Sequence, residues 1–242
     1  FFYALSKKKN VMITGDIGCY TLGAAAPLNA LHTCICMGAS ISTGHGASVA
    51  LDRANSETKV VSVLGDSTFF HTGVESLIGE VYNKGTNVTC ILDNRITGMT
   101  GHQQNPGSGF TLMGEPATEV DIPALCMAIG MKKENIYIVN PNHLDEVNKA
   151  LDEALAKDGP TVIITKWPCL LKKFSDEDKA AFDMPTTKCT INQEKCKKCK
   201  TCVAVGCPAI YSGDEITIDK NSCAGCKVCM QVCPFDAIEE VK

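Results

Sequence analysis

The sequence has no excess of positive charge. Its 242 residues sum to a formal net charge of −4, and no basic stripe of the kind that neutralises a phosphate backbone runs through it, which excludes a nucleic-acid interface built on Lys and Arg. No apolar run approaches the roughly 18 residues of a membrane-spanning helix. At the start, Phe1-Phe2-Tyr3-Ala4-Leu5 precedes Lys7-Lys8-Lys9, the reverse of the charge order in a secretory leader. With nothing marking the chain as secreted, a disulfide scaffold is not expected and a cytoplasmic setting is. An initiating Met is also missing, and the chain reads as a piece of a longer one. With 45% hydrophobic and 21% charged residues, there is room for one substantial α/β domain and one small domain.

Cysteine, by contrast, is plentiful: there are 15, and eight fall between positions 196 and 233. The first burst is Cys196-Lys-Lys-Cys199-Lys-Thr-Cys202-Val-Ala-Val-Gly-Cys207-Pro208, and the second is Cys223-Ala-Gly-Cys226-Lys-Val-Cys229-Met-Gln-Val-Cys233-Pro234. A Cys-x-x-Cys-x-x-Cys loop can wrap three thiolates around one face of a cubane iron–sulfur cluster, leaving the fourth to come from elsewhere. Structural zinc also uses Cys-x-x-Cys pairs, but it needs four sulfurs per site and fits poorly with a repeated triple that trails a Cys-Pro. The segment closely resembles bacterial-type ferredoxins, in which the Cys-Pro cysteine of each motif crosses to the other cluster. That resemblance implies two [4Fe–4S] clusters, one held by Cys196, Cys199, Cys202 and Cys233 and the other by Cys207, Cys223, Cys226 and Cys229. The first motif has four residues before its Cys-Pro where three are usual, so an extra residue, Gly206, is expected to bulge outward. The seven remaining cysteines read as scattered core residues.

The first 168 residues alternate strand and helix patterns. Strands are expected at 10–14, 59–64, 87–92, 136–139 and 161–165, with helices at 72–84, 122–129 and 144–156. Such alternation implies an α/β domain with a mostly parallel sheet covered on both faces, whose ligands sit at the carboxyl ends of strands. The expected organisation is a larger domain over 1–168, a linker over 169–188 with a helix start at Ser175, and a small α+β cluster domain over 189–242.

Two loops in the larger domain carry hard oxygen donors. Gly65-Asp66-Ser67 follows one buried strand and Asp93-Asn94-Arg95-Ile96 follows the next. An octahedral Mg²⁺ prefers a carboxylate, an amide oxygen, a backbone carbonyl and phosphate oxygens. Asp66, Asn94 and the Ile96 carbonyl could supply the protein's share. A Gly-Asp-Ser turn alone is ordinary punctuation; the pairing gives it weight.

The Gly-Asp and Asp-Asn pair resembles the metal motif of thiamine diphosphate enzymes. More narrowly, Gly15-Asp-Ile-Gly-Cys-Tyr-Thr-Leu-Gly23, Cys34-Ile-Cys-Met-Gly-Ala-Ser40 and Leu92-Asp-Asn-Arg-Ile-Thr-Gly-Met-Thr-Gly-His102 resemble the large-subunit family of indolepyruvate ferredoxin oxidoreductase. The likeness spans the whole chain, thiamine-binding domain first and ferredoxin domain last. Ser67 stands where the broader thiamine family often has Gly, and a single Asn94 where it often has two. The resemblance implies a thiamine diphosphate-binding fold in which Gly18, Cys19 and Tyr20 line the thiazolium side. It also implies that Gly65, Asp66, Ser67 and Thr68 hold the diphosphate and Mg²⁺ together with Asn94 and Ile96, and that Gly98 and Met99 close over them. For Cys19, simple packing remains the alternative. The implied reaction is oxidative decarboxylation of an aryl 2-oxo acid with coenzyme A. The implied partners are a pyrimidine-binding thiamine domain absent from this chain, a smaller beta subunit and an external ferredoxin. A sister enzyme acting on pyruvate or a branched acid, and a plain electron-transfer module, are the competing readings.

His45 and His102 fall in stretches that read as glycine-rich loops, and either could handle protons near the cofactor. His71 follows the metal motif, while His32 and His143 read as surface or capping residues. Glu75 and Glu80 are expected on an exposed helix face. Lys195, Lys197, Lys198 and Lys200 crowd the first cysteine burst, either as a collar that steers an acidic partner or as an ordinary solvated loop.

Overall fold

Strands form where aliphatic and β-branched residues run unbroken, because a parallel strand is buried on both faces. Lys59–Gly65 and Val88–Asp93 are such runs, and almost every residue in them is buried. A computed structural model describes residues 1–241 except 183 and 186. In chain order its larger domain runs α1 (Phe2–Leu5), β1 (Val11–Gly15), a 3₁₀ turn (Cys19–Ala24), β2 (Thr33–Cys34), α2 (Ala39–Arg53) and β3 (Lys59–Gly65). There follow the single turn α3 (Asp66–Thr68), a π turn (Phe69–Gly73), α4 (Val74–Tyr82), β4 (Val88–Asp93), α5 (Ile122–Ile129), β5 (Ile136–Val139), α6 (Leu144–Leu155) and β6 (Thr161–Lys166). The strands make one sheet in the order β2-β1-β3-β4-β6-β5, with every pair parallel. Leu5, Val147 and Leu151 pack on one face, and Ile41, Leu77 and Ile122 on the other. No described helix is long and apolar enough to cross a membrane.

The helix α2 departs from the sequence reading, which placed a loop around residues 43–46. Gly44 and Gly46 lower helix propensity, but Gly44 is the point of closest approach to the sheet. A Cβ there would stand 2.1 Å from Ser62 Oγ. Ser62 itself hydrogen-bonds Thr14 at 2.8 Å and donates to the Ser40 carbonyl at 2.8 Å, so it has little room to yield. Gly44→Ala is expected to cost about 2 kcal/mol by overpacking, read as a lower denaturation midpoint. An unchanged midpoint would show that α2 can lift off the sheet freely.

Beyond β6 the chain does not hang free. Helix α7 (Asp176–Ala181) opens with a reciprocal capping box between Ser175 and Asp178, the start read from the sequence. Asp178 is 1% exposed and pairs with Arg95 Nε at 3.2 Å and Lys172 Nζ at 2.6 Å. Trp167 meets Phe182 edge to face at 5.7 Å between ring centroids. The small domain that follows contains β7 (Lys188–Ile191), a 3₁₀ turn (Val203–Val205), β8 (Ile210–Ser212), β9 (Ile216–Ile218), α8 (Val228–Gln231) and β10 (Ile238–Val241). β7 pairs antiparallel with β10, and β8 with β9.

Candidate functional site

The loops leaving β1, β3 and β4, three adjacent strands, converge at their carboxyl ends around a cavity of about 140 Å³. Asp16 builds the first loop. Its buried carboxylate accepts from the backbone N–H groups of Ile17 at 2.8 Å, Gly38 at 2.7 Å and Ser40 at 3.1 Å, tying the loop to the start of α2. The second loop turns at once into α3, which places Asp66, Ser67 and Thr68 on the cavity wall. The third carries Asn94, whose Oδ1 accepts from Ile96 N–H at 3.2 Å, and continues through Thr97, Gly98 and Met99. Ser67 and Thr97 hydroxyls meet across the loops at 2.8 Å. A Cβ at Gly98 would lie 3.4 Å from Cys19 Sγ, so glycine there lets the first and third loops close on each other.

Charge in the cavity is unbalanced. Asp66 is 1% and Asp93 5% exposed. Burial, then the adjacent Asp93 carboxylate, push the Asp66 acid up to about 7, against the hydrogen bond it accepts from Asn105 Nδ2 at 2.8 Å. Burial also raises Asp93, although Lys166 and Arg95 oppose the rise. Tyr20 stays a phenol, raised far above its usual range by burial and then by Asp66. Asp93, though close to Asp66, is not part of the cavity lining. The Asp66 carboxylate, the Asn94 amide and the Ile96 backbone form a hard-oxygen set that suits Mg²⁺. Beside them, the hydroxyls of Ser67 and Thr68 and the open backbone at Gly65 and Gly98 suit phosphate oxygens.

The structure brings all eleven sequence-derived cavity residues together: Gly18, Cys19, Tyr20, Gly65, Asp66, Ser67, Thr68, Asn94, Ile96, Gly98 and Met99 line the one cavity. It does not bring the two histidines there. His45 lies within α2, against Gly85 and beside Glu80, and among the described residues its Nδ1 has no partner. His102 lies in a separate groove with Lys172 and Lys173, its Nε2 4.0 Å from Cys169 Sγ. His71 is exposed, with Nδ1 3.3 Å from Thr72 Oγ1. His32 accepts from Ile13 N–H at 2.9 Å, and His143 pairs with Glu146 at 2.8 Å at the start of α6. Glu75 is exposed as expected, but Glu80 is buried, accepting from Asn87 and Thr89. Sequence reasoning missed Asp16, Asp93 and Asn105. The Gly15-Asp16 turn repeated the Gly65-Asp66 pattern one strand away and was the available signal.

In the small domain the motif cysteines fall in two neighbourhoods. Cys196, Cys199, Cys202 and Cys233 surround one void, while Cys226 lies in the electrostatic reach of Cys207 and Cys223, and Cys229 in that of Cys226 and Cys207. Gly206 is exposed, in keeping with the outward bulge expected of the extra residue. It takes a left-handed φ of 76° after the 3₁₀ turn, with Leu28 of the larger domain 3.2 Å from where its Cβ would be. The other cysteines are not uniformly core: Cys90, Cys126 and Cys189 are buried, but Cys19, Cys34 and Cys36 are exposed. Cys189 belongs to the second group, its N–H donating to Cys223 Sγ at 3.4 Å and its thiol lying against Cys229. Ala237 N–H does the same for Cys233 Sγ at 3.4 Å. Hydrogen bonds to cluster sulfurs raise reduction potentials.

A parallel sheet with a phosphate- and metal-suited cavity at the carboxyl ends of adjacent strands, followed by a cysteine-rich module, defines the class of thiamine-binding folds joined to an iron–sulfur domain. The chain belongs to the thiamine pyrophosphate enzymes: residues 16–165 match the model of their C-terminal TPP binding domain, and residues 216–239 match the 4Fe-4S binding domain. It is 37% identical over 256 residues to indolepyruvate oxidoreductase subunit IorA of Pyrococcus abyssi, covering 100% of this chain and 39% of that subunit. To the subunit IorA of Archaeoglobus fulgidus it is 38% identical over 247 residues, covering 100% of the chain and 38% of the relative. The chain fits the C-terminal portion of that subunit and spans about two fifths of the length of these relatives. Among solved structures, 2-oxoglutarate:ferredoxin oxidoreductase from Magnetococcus marinus shares the fold with a TM-score of 0.63 at 15% identity, covering 74% of this chain and 66% of that one. Benzoylformate decarboxylase from Polynucleobacter necessarius does so at 0.52 and 18% identity, covering 69% and 32%.

Proposed function

We propose that this chain is the cofactor-anchoring and electron-exit portion of a cytoplasmic enzyme that oxidatively decarboxylates aryl 2-oxo acids of the indolepyruvate type with coenzyme A, delivering electrons to ferredoxin. The carrying observation is that one chain joins the Asp66–Asn94 cavity to two four-cysteine groups, and that it is 37% identical over its full length to an indolepyruvate oxidoreductase subunit. When bound, thiamine diphosphate supplies the electron sink for loss of the carboxylate. Asp66, Asn94 and the Ile96 carbonyl would hold Mg²⁺, which would supply the positive charge that anchors a diphosphate. Ser67 and Thr68 hydroxyls and the amides of α3 orient its oxygens, and Asp16 keeps the first loop in place. Tyr20, held protonated, offers a hydroxyl at the cavity wall.

Three apolar residues that line the cavity are exposed, Met99 at 58%, Met37 at 43% and Ile17 at 40%, an apolar surface of the kind that marks an interface. A pyrimidine-binding domain seated there would cover them, exclude water and bring the carboxylate that activates the cofactor. A smaller beta subunit completes the enzyme. The test is the full-length chain assembled with that subunit. With coenzyme A, indolepyruvate is expected to reduce ferredoxin about tenfold or more faster than pyruvate does. A faster rate with pyruvate would reassign the substrate, and failure to bind thiamine diphosphate with Mg²⁺ would leave only an electron-transfer module.

A further inference from the structure

Resting on that reading, we infer the order of the clusters: electrons leave the cofactor cavity through the Cys207–Cys223–Cys226–Cys229 group, and they exit to ferredoxin through the Cys196–Cys199–Cys202–Cys233 group. The contacts between the two domains come from the first of these groups. Gly206, next to Cys207, abuts Leu28. Val228, which precedes Cys229, packs on the core of the larger domain, as does Val232, which lies between Cys229 and Cys233. Gln231 accepts from Leu144 N–H at 2.9 Å and donates to the Asn142 carbonyl at 2.7 Å.

A line of aromatic rings bridges the same gap. Tyr20 lines the cavity, its ring is 6.3 Å from that of Phe2, and Phe2 is 5.8 Å from Phe1. Phe1, Phe2 and Tyr20 pack against the same core cluster as Val228, which precedes Cys229. The other group faces away. Cys199 is exposed, and Lys197 and Lys200 stand over its void. Lys195 is paired with Glu239 at 2.7 Å, whereas Lys198 donates only to the neutral Asp214 carbonyl at 2.7 Å. Lys197, Lys198 and Lys200 therefore have no carboxylate partner among the described residues and form the charged part of the collar, with Lys197 and Lys200 on the void. The overall balance is one 2-oxo acid anion and one coenzyme A thiol giving one thioester, carbon dioxide and a proton. Two electrons pass one at a time through both groups to two oxidised ferredoxins.

The experiment uses the full-length chain with its partner subunit, mixed anaerobically with indolepyruvate and coenzyme A without ferredoxin and followed by low-temperature electron paramagnetic resonance. Iron content and dithionite reduction establish which cluster each variant retains. In Cys199→Ser the retained cluster is expected to be reduced by substrate, with ferredoxin reduction lost. In Cys226→Ser the retained cluster is expected to accept electrons from dithionite but not from substrate. The opposite pattern overturns the order. A wild-type enzyme whose clusters no 2-oxo acid reduces overturns the functional reading and the order with it. Because ligand variants can lose both clusters, charge reversal provides a second measurement. Lys197→Glu with Lys200→Glu is expected to raise the KM for ferredoxin about tenfold at low salt, and Lys220→Glu, three residues before Cys223, less than about twofold. A larger effect at Lys220 also overturns the order.

Discussion

Replacing Asp66 by alanine is expected to abolish indolepyruvate-driven ferredoxin reduction in the assembled enzyme and to weaken Mg²⁺-dependent binding of thiamine diphosphate by about two orders of magnitude or more. The expectation follows from where the carboxylate stands. It is the first residue after a buried central strand, 1% exposed, held by Asn105 and faced by the like charge of Asp93. Its acid is raised to about 7, so without a bound cation the folded state holds the Asp66 proton more tightly than the unfolded chain does. The stability this gives is complete below the ordinary aspartate range and is lost as pH rises toward 7. Asp66→Asn separates the two roles. At pH 8 its cofactor-free melting temperature is expected to exceed that of the wild type, because a repulsion has been removed. The rise in melting temperature on adding thiamine diphosphate and Mg²⁺ is expected to vanish. Calorimetric titration that shows unimpaired cofactor binding by Asp66→Asn would remove Asp66 from the metal.

The second large effect is expected at a residue outside the cavity. Glu80→Gln should stabilise the protein at pH 8.5 by on the order of 3 kcal/mol and leave it nearly unchanged at pH 5. Burial raises the Glu80 acid to about 8, against the hydrogen bonds from Asn87 and Thr89. Raised acids stabilise the fold at low pH, so the Glu80 contribution is present in full below about pH 4 and declines through the range up to 8. A glutamine keeps an oxygen for Asn87 and Thr89 and has no charge to bury. Urea midpoints measured from pH 5 to 8.5 should therefore fall less steeply in Glu80→Gln than in the wild type. They should not become flat, because Asp66 contributes in the same sense. Identical slopes would mean that Glu80 ionises in place at no cost.

The position of Glu80 shows what the sequence makes legible and what it does not. The helical spacing that identified α4 puts residue 80 on the face of Leu77, one turn away, yet a charged side chain is so seldom buried that the general tendency outweighed the local geometry. Strands β3, β4 and β6 were readable because burial on both faces leaves an unbroken apolar run, and β5, at the sheet edge with Ile138 exposed, was readable from its short apolar run alone. The cavity loops were readable because they occur where such runs stop. Helix α2 was not, since of its four buried residues only Ile41 is a large apolar one, and Ser40, Gly44 and Ser48 are small. They were chosen by the closeness of the sheet, which no window of sequence displays. His45 was misplaced for the same reason. The two cysteine bursts were plain in the spacing, but their sorting into groups came from the resemblance to bacterial-type ferredoxins. Cys189 lies outside both motifs, and only the pairing of β7 with β10 brings it to the second group.

Arg95 has a consequence for how the molecule works mechanically. Its left-handed backbone, φ 59°, turns the guanidinium away from the cavity. There it forms a two-pronged pair with Glu119 at 2.9 and 3.1 Å, a third bond to Asp178 and a stack on Phe182. The loop that frames the cofactor is therefore bolted to the segment leading into the iron–sulfur module. Enzymes that ferry electrons on a swinging arm need slack between their parts. Here the segment is pinned at its middle by largely buried ions that salt screens poorly, so the module behaves as a fixed terminal, and its rate should be set by distance and potential rather than by diffusion of a tethered domain.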